Sequence, residues 1–480
     1  MSNALDRRSF LTGSVGGSWL ARNGMAASGF AAAEEAGWPK LAPVRIHVVY
    51  LGLGGAWPKP EFDAPAEVAK FRKYLEGAEA RLGDVRFVGH DLIPNRTPEA
   101  GRLAASVEAD AVLIVHLAFG SSEPMLKFVE TGRPVAIFSQ PFSGHDWMYI
   151  PRWQREGKRV ILIPSSDYAD LERAAALLRV PVRMRQSRVL LVGRVSATAA
   201  AQSAEKVRQF TGATVVPVSV EQVVEAHAAT DAKTAERLAE EEWIGPAKKI
   251  VEPTREEIIR SARMYLALKS LMLGENARAV TIACLGGIPI RTIGYPCLAF
   301  SKLLDLGLVG ACEADLDSTL TMLMFAHAFG KPGFITDPLF DIAKNAVVHA
   351  HCLGPTRMDG PSGQRAPFII RTHRDDNRGA SLQVEMRVGQ EITCAKLVNL
   401  DTILLSAGKI TEIPSFDDRG CRTQIVTQVA NAREMFRNWG SGVLEGNMMV
   451  MLHRVVFYGN HVEDVKDMAT LMGQKVVMEG

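Results

Sequence analysis

From Val44 onward the chain reads as short β-branched apolar runs separated by amphipathic stretches, the form that buried parallel strands alternating with helices take in sequence. The first runs are Val44 to Leu51, Val85 to Val88, Ala111 to His116, Val135 to Phe138 and Val160 to Ile163. They predict one doubly wound α/β domain over residues 44–180. A second set follows: Val189 to Gly193, Thr214 to Val220, Ala279 to Cys284, Leu308 to Glu313 and Gly333 to Thr336. Helical stretches at Ala199 to Phe210, Val220 to Glu242 and Arg255 to Leu273 lie between them. This set predicts a second, tandem α/β domain over residues 186–346, with the basic stretch Arg183 to Arg188 as the link. Beyond about Val347 alternation replaces the helical period, in Pro367 to Thr372, Ser381 to Val388, Glu391 to Asn399 and Thr402 to Leu405. Strand runs at that spacing predict a β-rich C-terminal domain over 347–480, an antiparallel barrel or sandwich. A helix from Val462 to Met472 closes the chain.

Composition narrows the function classes. The chain has 480 residues, 47% hydrophobic and 22% charged, which fits a globular protein of two or three domains and excludes a disordered, collagenous or coiled-coil polypeptide. Lys and Arg total 55 against 53 Asp and Glu, a formal charge of +2, so there is no electrostatic case for nucleic-acid or anionic-membrane binding. No uninterrupted apolar run reaches 18 residues, so no membrane span is expected. The expected partner is a small molecule.

The first 33 residues read separately. Arg7-Arg8-Ser9-Phe10-Leu11 precedes a weakly apolar stretch rich in Gly and Ala that ends in Ala31-Ala32-Ala33. The pattern resembles a twin-arginine export signal cleaved before Glu34, which implies a periplasmic or secreted protein. Arg7, Arg8 and Arg22 against Asp6 account for the whole formal excess, so the rest of the chain is balanced.

In an open α/β sheet, ligands bind beyond the carboxyl ends of the strands. Glu313 ends the run Leu308 to Cys312, and Asp337 ends Phe334-Ile335-Thr336. Two carboxylates at two strand ends of one sheet can converge; the alternative is that each caps the following helix. His349, His351 and His453 lie in apolar segments of the β-rich region. Two carboxylates with one or two imidazoles make an oxygen-and-nitrogen set suited to Mn²⁺ or a related divalent ion with water positions left open. Such an ion polarises adjacent oxygens of a hydroxy-carbonyl substrate while a carboxylate moves the proton.

Four segments carry a resemblance. They are Tyr295-Pro296-Cys297-Leu298-Ala299-Phe300 running on to Ala311-Cys312-Glu313-Ala314-Asp315-Leu316-Asp317-Ser318-Thr319; Asp337-Pro338; His351-Cys352-Leu353-Gly354-Pro355-Thr356-Arg357-Met358; and His453-Arg454-Val455-Val456-Phe457-Tyr458-Gly459. In this order they resemble the L-fucose isomerase and L-arabinose isomerase superfamily, its fucose-isomerase-like branch above all, over roughly residues 280 to 475. The resemblance implies two α/β domains followed by a β-rich one, with a divalent metal, usually Mn²⁺, between the central and C-terminal domains. It implies that Glu313 and Asp337 bind the metal and exchange the proton, and that His453 is a ligand; His351 matches a ligand position of the arabinose branch. The implied reaction interconverts an aldose and a ketose through a cis-enediol, in a homo-oligomer, a trimer or hexamer, whose N-terminal domain faces a neighbour's active site. Two other readings stay open: an exported sugar-binding protein of the same fold without catalysis, and a metal-dependent epimerase or lyase on an oxidised sugar.

Gly144-His145-Asp146-Trp147 follows the fourth strand. It is either a loop offering His145 and Trp147 to a sugar or a surface turn anchored by Trp147. Gly52-Leu53-Gly54-Gly55 lacks the full dinucleotide fingerprint, so no nucleotide cofactor is expected. His373, amid Arg371, Arg374, Asp375 and Asp376, reads as a solvated turn. The six cysteines show no Cys-x-x-Cys spacing and read as buried free thiols rather than a zinc site.

Overall fold

The computed structural model describes residues 37–38, 40–53, 61–414, 419–440 and 448–480; the export-signal reading and Gly54-Gly55 lie outside them. The first five strands are β1 (Val44–Leu53), β2 (Val85–Pro94), β3 (Ala111–His116), β4 (Val135–Ser139) and β5 (Val160–Pro164). They form one parallel sheet in the order β2-β1-β3-β4-β5. β3 and β4 are buried at every position, as strands covered by helices on both faces must be.

The basic stretch Arg183 to Arg188 is where the chain passes from a long helix into the second sheet. That helix is Ala169–Gln186, whose Arg183 is fully buried and, with Arg179, pairs with Asp84. After it come β6 (Arg188–Val192), β7 (Thr214–Val218), a short β8 (Lys249–Ile250), β9 (Ala279–Ile282) and β10 (Val309–Ala311). The central sheet is parallel, in the order β10-β9-β6-β7.

The remaining strands are β11 (Phe334–Asp341), β12 (Ala346–His351), β13 (Phe368–Arg371), β14 (Ser381–Val384), β15 (Glu391–Val398), β16 (Thr402–Glu412), β17 (Thr423–Gln428), β18 (Arg454–Tyr458) and β19 (Lys475–Met478). Six of them, β15-β18-β11-β12-β17-β16, pair antiparallel in turn, and β16 returns to β15, closing a barrel. The architecture is thus two α/β units with parallel sheets followed by an antiparallel barrel. β19 adds parallel to β16 and follows the helix Val462–Met472, so a strand rather than that helix comes last. β13 and β14 form a small sheet with β8.

One assignment changes. The run Gly333 to Thr336 does not extend the central sheet: β11 pairs antiparallel with β12 and β18, so the barrel begins there rather than at Val347. Glu313, just past the end of β10, and Asp337, within β11, therefore do not lie at two strand ends of one sheet.

The helix Leu316–Phe329 joins these two units. Every one of its residues is buried, so it carries no polar stripe, as expected of a helix covered on all sides. Phe325 stacks on Phe457 of β18 with centroids 3.7 Å apart, and the backbone amide of Leu397 in β15 donates to Thr321 Oγ1 at 2.8 Å. Its carboxyl end stops at Gly330 in the left-handed conformation. Its amino end sits beside the candidate site. Among the described residues no helix is long and apolar enough to cross a membrane.

Candidate metal centre

Three of the four ligand candidates are brought together by barrel register. Asp337 of β11 stands opposite Ala350 of β12, beside His351. On the other edge of β11, Thr336 pairs with Arg454, the first residue of β18, so His453 follows at the next position toward Asp337. Glu313 comes from the other side, in the turn between β10 and the helix Leu316–Phe329. Backbone bonds fix that turn: the Ala314 amide donates to Ile282 O at 2.9 Å and the Ser196 amide to Ala314 O at 3.0 Å.

Glu313, Ala314 and His453 all have left-handed backbone, with φ of 61°, 52° and 48°. Such conformations in non-glycine residues cost on the order of 1 kcal/mol each and persist where the surroundings enforce them. Here they accompany two of the four candidate side chains, those of Glu313 and His453, whose Oε2 and Nε2 lie 3.5 Å apart.

One ligand atom from each of Glu313, His351 and His453 lies within 4.8 Å of the other two. His351 Nε2 is 3.6 Å from Glu313 Oε1, and His453 Nε2 is 3.5 Å from Glu313 Oε2 and 3.4 Å from Asp337 Oδ1. Neighbouring donors around an octahedral divalent ion with bonds of about 2.1 Å sit ~3 Å apart, so this spacing suits an ion more than direct hydrogen bonds. Both ring nitrogens of His351 are buried with no hydrogen-bond partner, an arrangement that is costly unless a ligand completes it. The oxygen and imidazole donors fit a hard or borderline divalent cation. Asp337 keeps 43% of its side chain exposed and Glu313 30%, so the carboxylates face the open side and the histidines the closed side.

Electrostatics follow from that placement. Burial pushes the Glu313 carboxyl up, but the imidazoles of His351 and His453 outweigh it and leave it below its ordinary value. Burial alone depresses His351; Glu313 and Asp337 reverse this and hold it up to about 9. A bound cation would replace that proton, since metal and proton compete for the same lone pair.

Behind these candidates lies a layer that sequence reasoning missed. Asp315 is fully buried and caps the helix, accepting from the Ser318 amide at 2.9 Å. Its Oδ2 also contacts His453 Nδ1 at 2.9 Å and accepts from Lys396 Nζ at 2.9 Å. Lys396 is itself fully buried and donates to Met449 O and Leu452 O. The carboxylate fixes the imidazole so that Nε2 points at the site, the usual outer-shell arrangement of a ligating histidine. Burial raises the Asp315 carboxyl, but Lys396 and His453 outweigh it and hold it far below the usual range. Asp317 next door is pushed up to about 7 by burial and by Asp315. One signal was available: Lys396 is the sole charged residue inside the apolar run Ile392 to Val398.

The other candidates settle differently. His349 is a satisfied core residue, bonded to the hydroxyls of Thr336 and Thr427 at 3.0 Å each and held neutral by burial, its pKa lowered to about 3. His373 is not a solvated turn: it is buried and stacked on Tyr295 with centroids 3.9 Å apart. All six cysteines are free thiols, with Cys421 half-buried and the rest buried.

His145 and Trp147 line a cavity of about 510 Å³ at the carboxyl ends of β4 and β5, with Gln140, Phe142 and Pro164. None of the four ligand candidates lines it. The loop is anchored by Asp146, which is buried and accepts from the amides of Gly120 and Ser122. Trp147 is 47% exposed and is no anchor.

No protein-family model matches the chain. Over 128 residues it is 27% identical to the sulfoquinovose isomerases of Priestia aryabhattai and Priestia megaterium, a stretch that covers 25% of this chain and 29% of each relative. The chain is thus similar, over about a quarter of its length, to sugar isomerases.

Proposed function

We propose that the protein is a divalent-metal-dependent isomerase of a sugar or sugar derivative, interconverting an aldose and a ketose, with Mn²⁺ the expected ion. The observation that carries this reading is the convergence of Glu313 from the central unit with His351, His453 and Asp337 from the barrel, two carboxylates and two imidazoles at one spot. The similarity to sulfoquinovose isomerases over part of the chain supports it.

A divalent ion held by Glu313, His351, His453 and Asp337 supplies Lewis acidity to adjacent substrate oxygens. The chain's own groups do the rest. His351 and His453 close the inner wall, and the Asp315–Lys396 pair keeps His453 from turning. Glu313 and Asp337 both lie within 3.5 Å of His453 Nε2, so the two carboxylates flank one site. One takes the proton from C2 of the open-chain sugar and returns it to C1 of the cis-enediol, while the other exchanges the hydroxyl proton. Glu313 starts ionised, as a base requires, because the flanking imidazoles keep its carboxyl low.

The cavity at His145 and Trp147 is assigned to sugar binding, reaching an active site in a homo-oligomer, and residues 1–33 to twin-arginine export of the folded protein. Incubation with Mn²⁺ in deuterated water and a panel of aldoses and uronates, sulfoquinovose among them, tests the function. Ketose formation with solvent deuterium entering C1 or C2 is expected, and Glu313→Gln should abolish it. Turnover unchanged in Glu313→Gln contradicts the assignment.

A further inference from the structure

Arg159, Arg185 and Arg208 come from three parts of the fold and line one cavity of about 110 Å³. Arg159 directly precedes β5 of the first α/β unit, Arg185 lies in the last turn of the helix Ala169–Gln186, and Arg208 belongs to the helix Ala204–Thr211 of the central unit. Met472, at the end of the helix Val462–Met472, adds to the wall. No Asp or Glu is among the described residues that line the cavity. A water needs about 10–15 Å³ of such space, so there is room for a group of several heavy atoms. Two helix ends shape the wall. A Cβ at Gly212 would come within 2.7 Å of Arg185 Cγ, so this glycine, left-handed at φ 84°, lets the Arg185 stem cross the end of Ala204–Thr211. At the end of Val462–Met472, a Cβ at Gly473 would stand 3.5 Å from Arg159 Nε, so that guanidinium lies against the helix terminus.

Arginines nearby are used inside the protein: Arg179 and Arg183 pair with Asp84, and Arg173 pairs with Asp464 and Asp467. The three at the cavity have neither an ion pair nor a side-chain hydrogen bond among the described residues. Helix carboxyl ends favour cations, which accounts for arginines in this place, but none of the three donates to a carbonyl there. Burial pushes the Arg185 guanidinium down, Asp110 offsets part of this, and the like charge of Arg159 adds to it. Asp110 lies outside the cavity wall and already accepts from the Arg45 amide at 2.8 Å. Three guanidiniums around one cavity repel each other. An oxyanion that accepts from all three removes that repulsion and adds charge-assisted hydrogen bonds.

We propose that this cavity binds a tetrahedral oxyanion, phosphate or the phosphoryl group of a small ester, held by Arg159, Arg185 and Arg208. A phosphoryl group presents oxygens on several sides, which suits planar donor forks arriving from three different elements. All three arginines keep solvent access, so the remainder of an ester can stay outside. None of the four candidate metal ligands lines the cavity, and the site stands apart from the isomerase reading.

The test uses the full chain in a phosphate-free buffer of low ionic strength without added metal, titrated by calorimetry with inorganic phosphate and, separately, with glycerol 3-phosphate. One saturable site per chain is expected for at least one of the two probes. Its affinity should fall about tenfold or more in Arg185→Gln and in Arg208→Gln. It should be unchanged in Arg237→Gln, which removes an exposed arginine from another helix. Tighter binding of the ester identifies a phosphorylated small molecule as the source of the anion, and tighter binding of inorganic phosphate identifies the free ion. The probe that binds should also raise the Tm of wild type and raise it less in the two cavity variants. No saturable site for either probe, wild-type affinity in both cavity variants, or an equal loss in Arg237→Gln overturns the proposal.

Discussion

Two of the buried histidine–carboxylate pairs among the described residues, His116 with Asp146 and His453 with Asp315, differ in what they leave over. In the first α/β unit His116 Nε2 lies 3.1 Å from Asp146 Oδ2 and 3.0 Å from Ala118 O, and its Nδ1 lies 2.9 Å from Ser139 Oγ. Both oxygens of Asp146 accept backbone amides as well. Every polar atom is used inside the protein, and the pair's work is to hold the loop that presents His145 and Trp147. At the barrel rim His453 gives only Nδ1 to Asp315. Its Nε2 faces two carboxylates at distances too long for hydrogen bonds, and His351 alongside has no hydrogen-bond partner at all. The lesson is that burial and a carboxylate partner are common to both histidines; what sets His453 apart is a second ring nitrogen turned toward two further carboxylates.

Exchanging the two pairs in experiment should separate them. The largest effect is expected from His453→Ala, which should lower Mn²⁺ affinity by more than about a hundredfold, beyond the usual range for outer-shell changes. The matching His116→Ala should leave Mn²⁺ binding unchanged by calorimetry and cost about 1–3 kcal/mol of stability in denaturant, from the unpaired partners it leaves. Loss of Mn²⁺ binding in His116→Ala would break the contrast.

Next comes Asp315→Asn, which acts on both counts. Mn²⁺ affinity should fall about 10- to 100-fold because His453 loses its orienting carboxylate. Stability should fall by about 3–5 kcal/mol because Lys396 is left as an uncompensated buried charge. Adding Lys396→Met should recover part of the stability and none of the affinity; recovery of both would mean that Asp315 acts only as packing.

Asp146→Asn is expected to cost about 1–3 kcal/mol, read as a lower Tm. The pH dependence has a definite sign. Burial raises the Asp146 carboxyl, but His116 and the amides outweigh it, so its folded pKa is lowered. Its contribution is therefore present above the unfolded carboxyl value of about 4 and is lost as pH falls through the folded one. Wild type should lose more stability than Asp146→Asn between about pH 5 and pH 2, and equal losses would contradict the pairing. The smallest effect belongs to Trp147→Ala, with stability within ~0.5 kcal/mol of wild type. A raised KM at unchanged kcat is expected there if the loop grips the sugar.

Much of the fold was legible because it is local. β3 spans Ala111–His116, as its apolar run predicts, and the helix Val462–Met472 has the bounds read from its periodicity. What failed was membership. Phe334-Ile335-Thr336 is buried on both sides, which suits a parallel sheet and a barrel equally, and only its ladders to β12 and β18 tell them apart. The candidate site divides the same way. Glu313, Asp337, His351 and His453 could be named from strand ends and apolar surroundings. Asp315 could not, because an Asp before a helix reads as a cap, and it is one. Its second role depends on Lys396, 81 residues away. His373 was misread because its charged neighbours suggest solvent, while its stacking partner Tyr295 lies far off in the chain.

The central claim is that Glu313, His351, His453 and Asp337 bind one divalent ion. Its most direct test is titration of the metal-stripped protein with Mn²⁺, followed by calorimetry and by the paramagnetic signal of the free ion, for wild type and Glu313→Gln. One saturable site per chain in wild type, lost or weakened by more than about a hundredfold in Glu313→Gln, is the predicted result. No saturable site in wild type, or the same site with equal affinity in Glu313→Gln, would contradict the account.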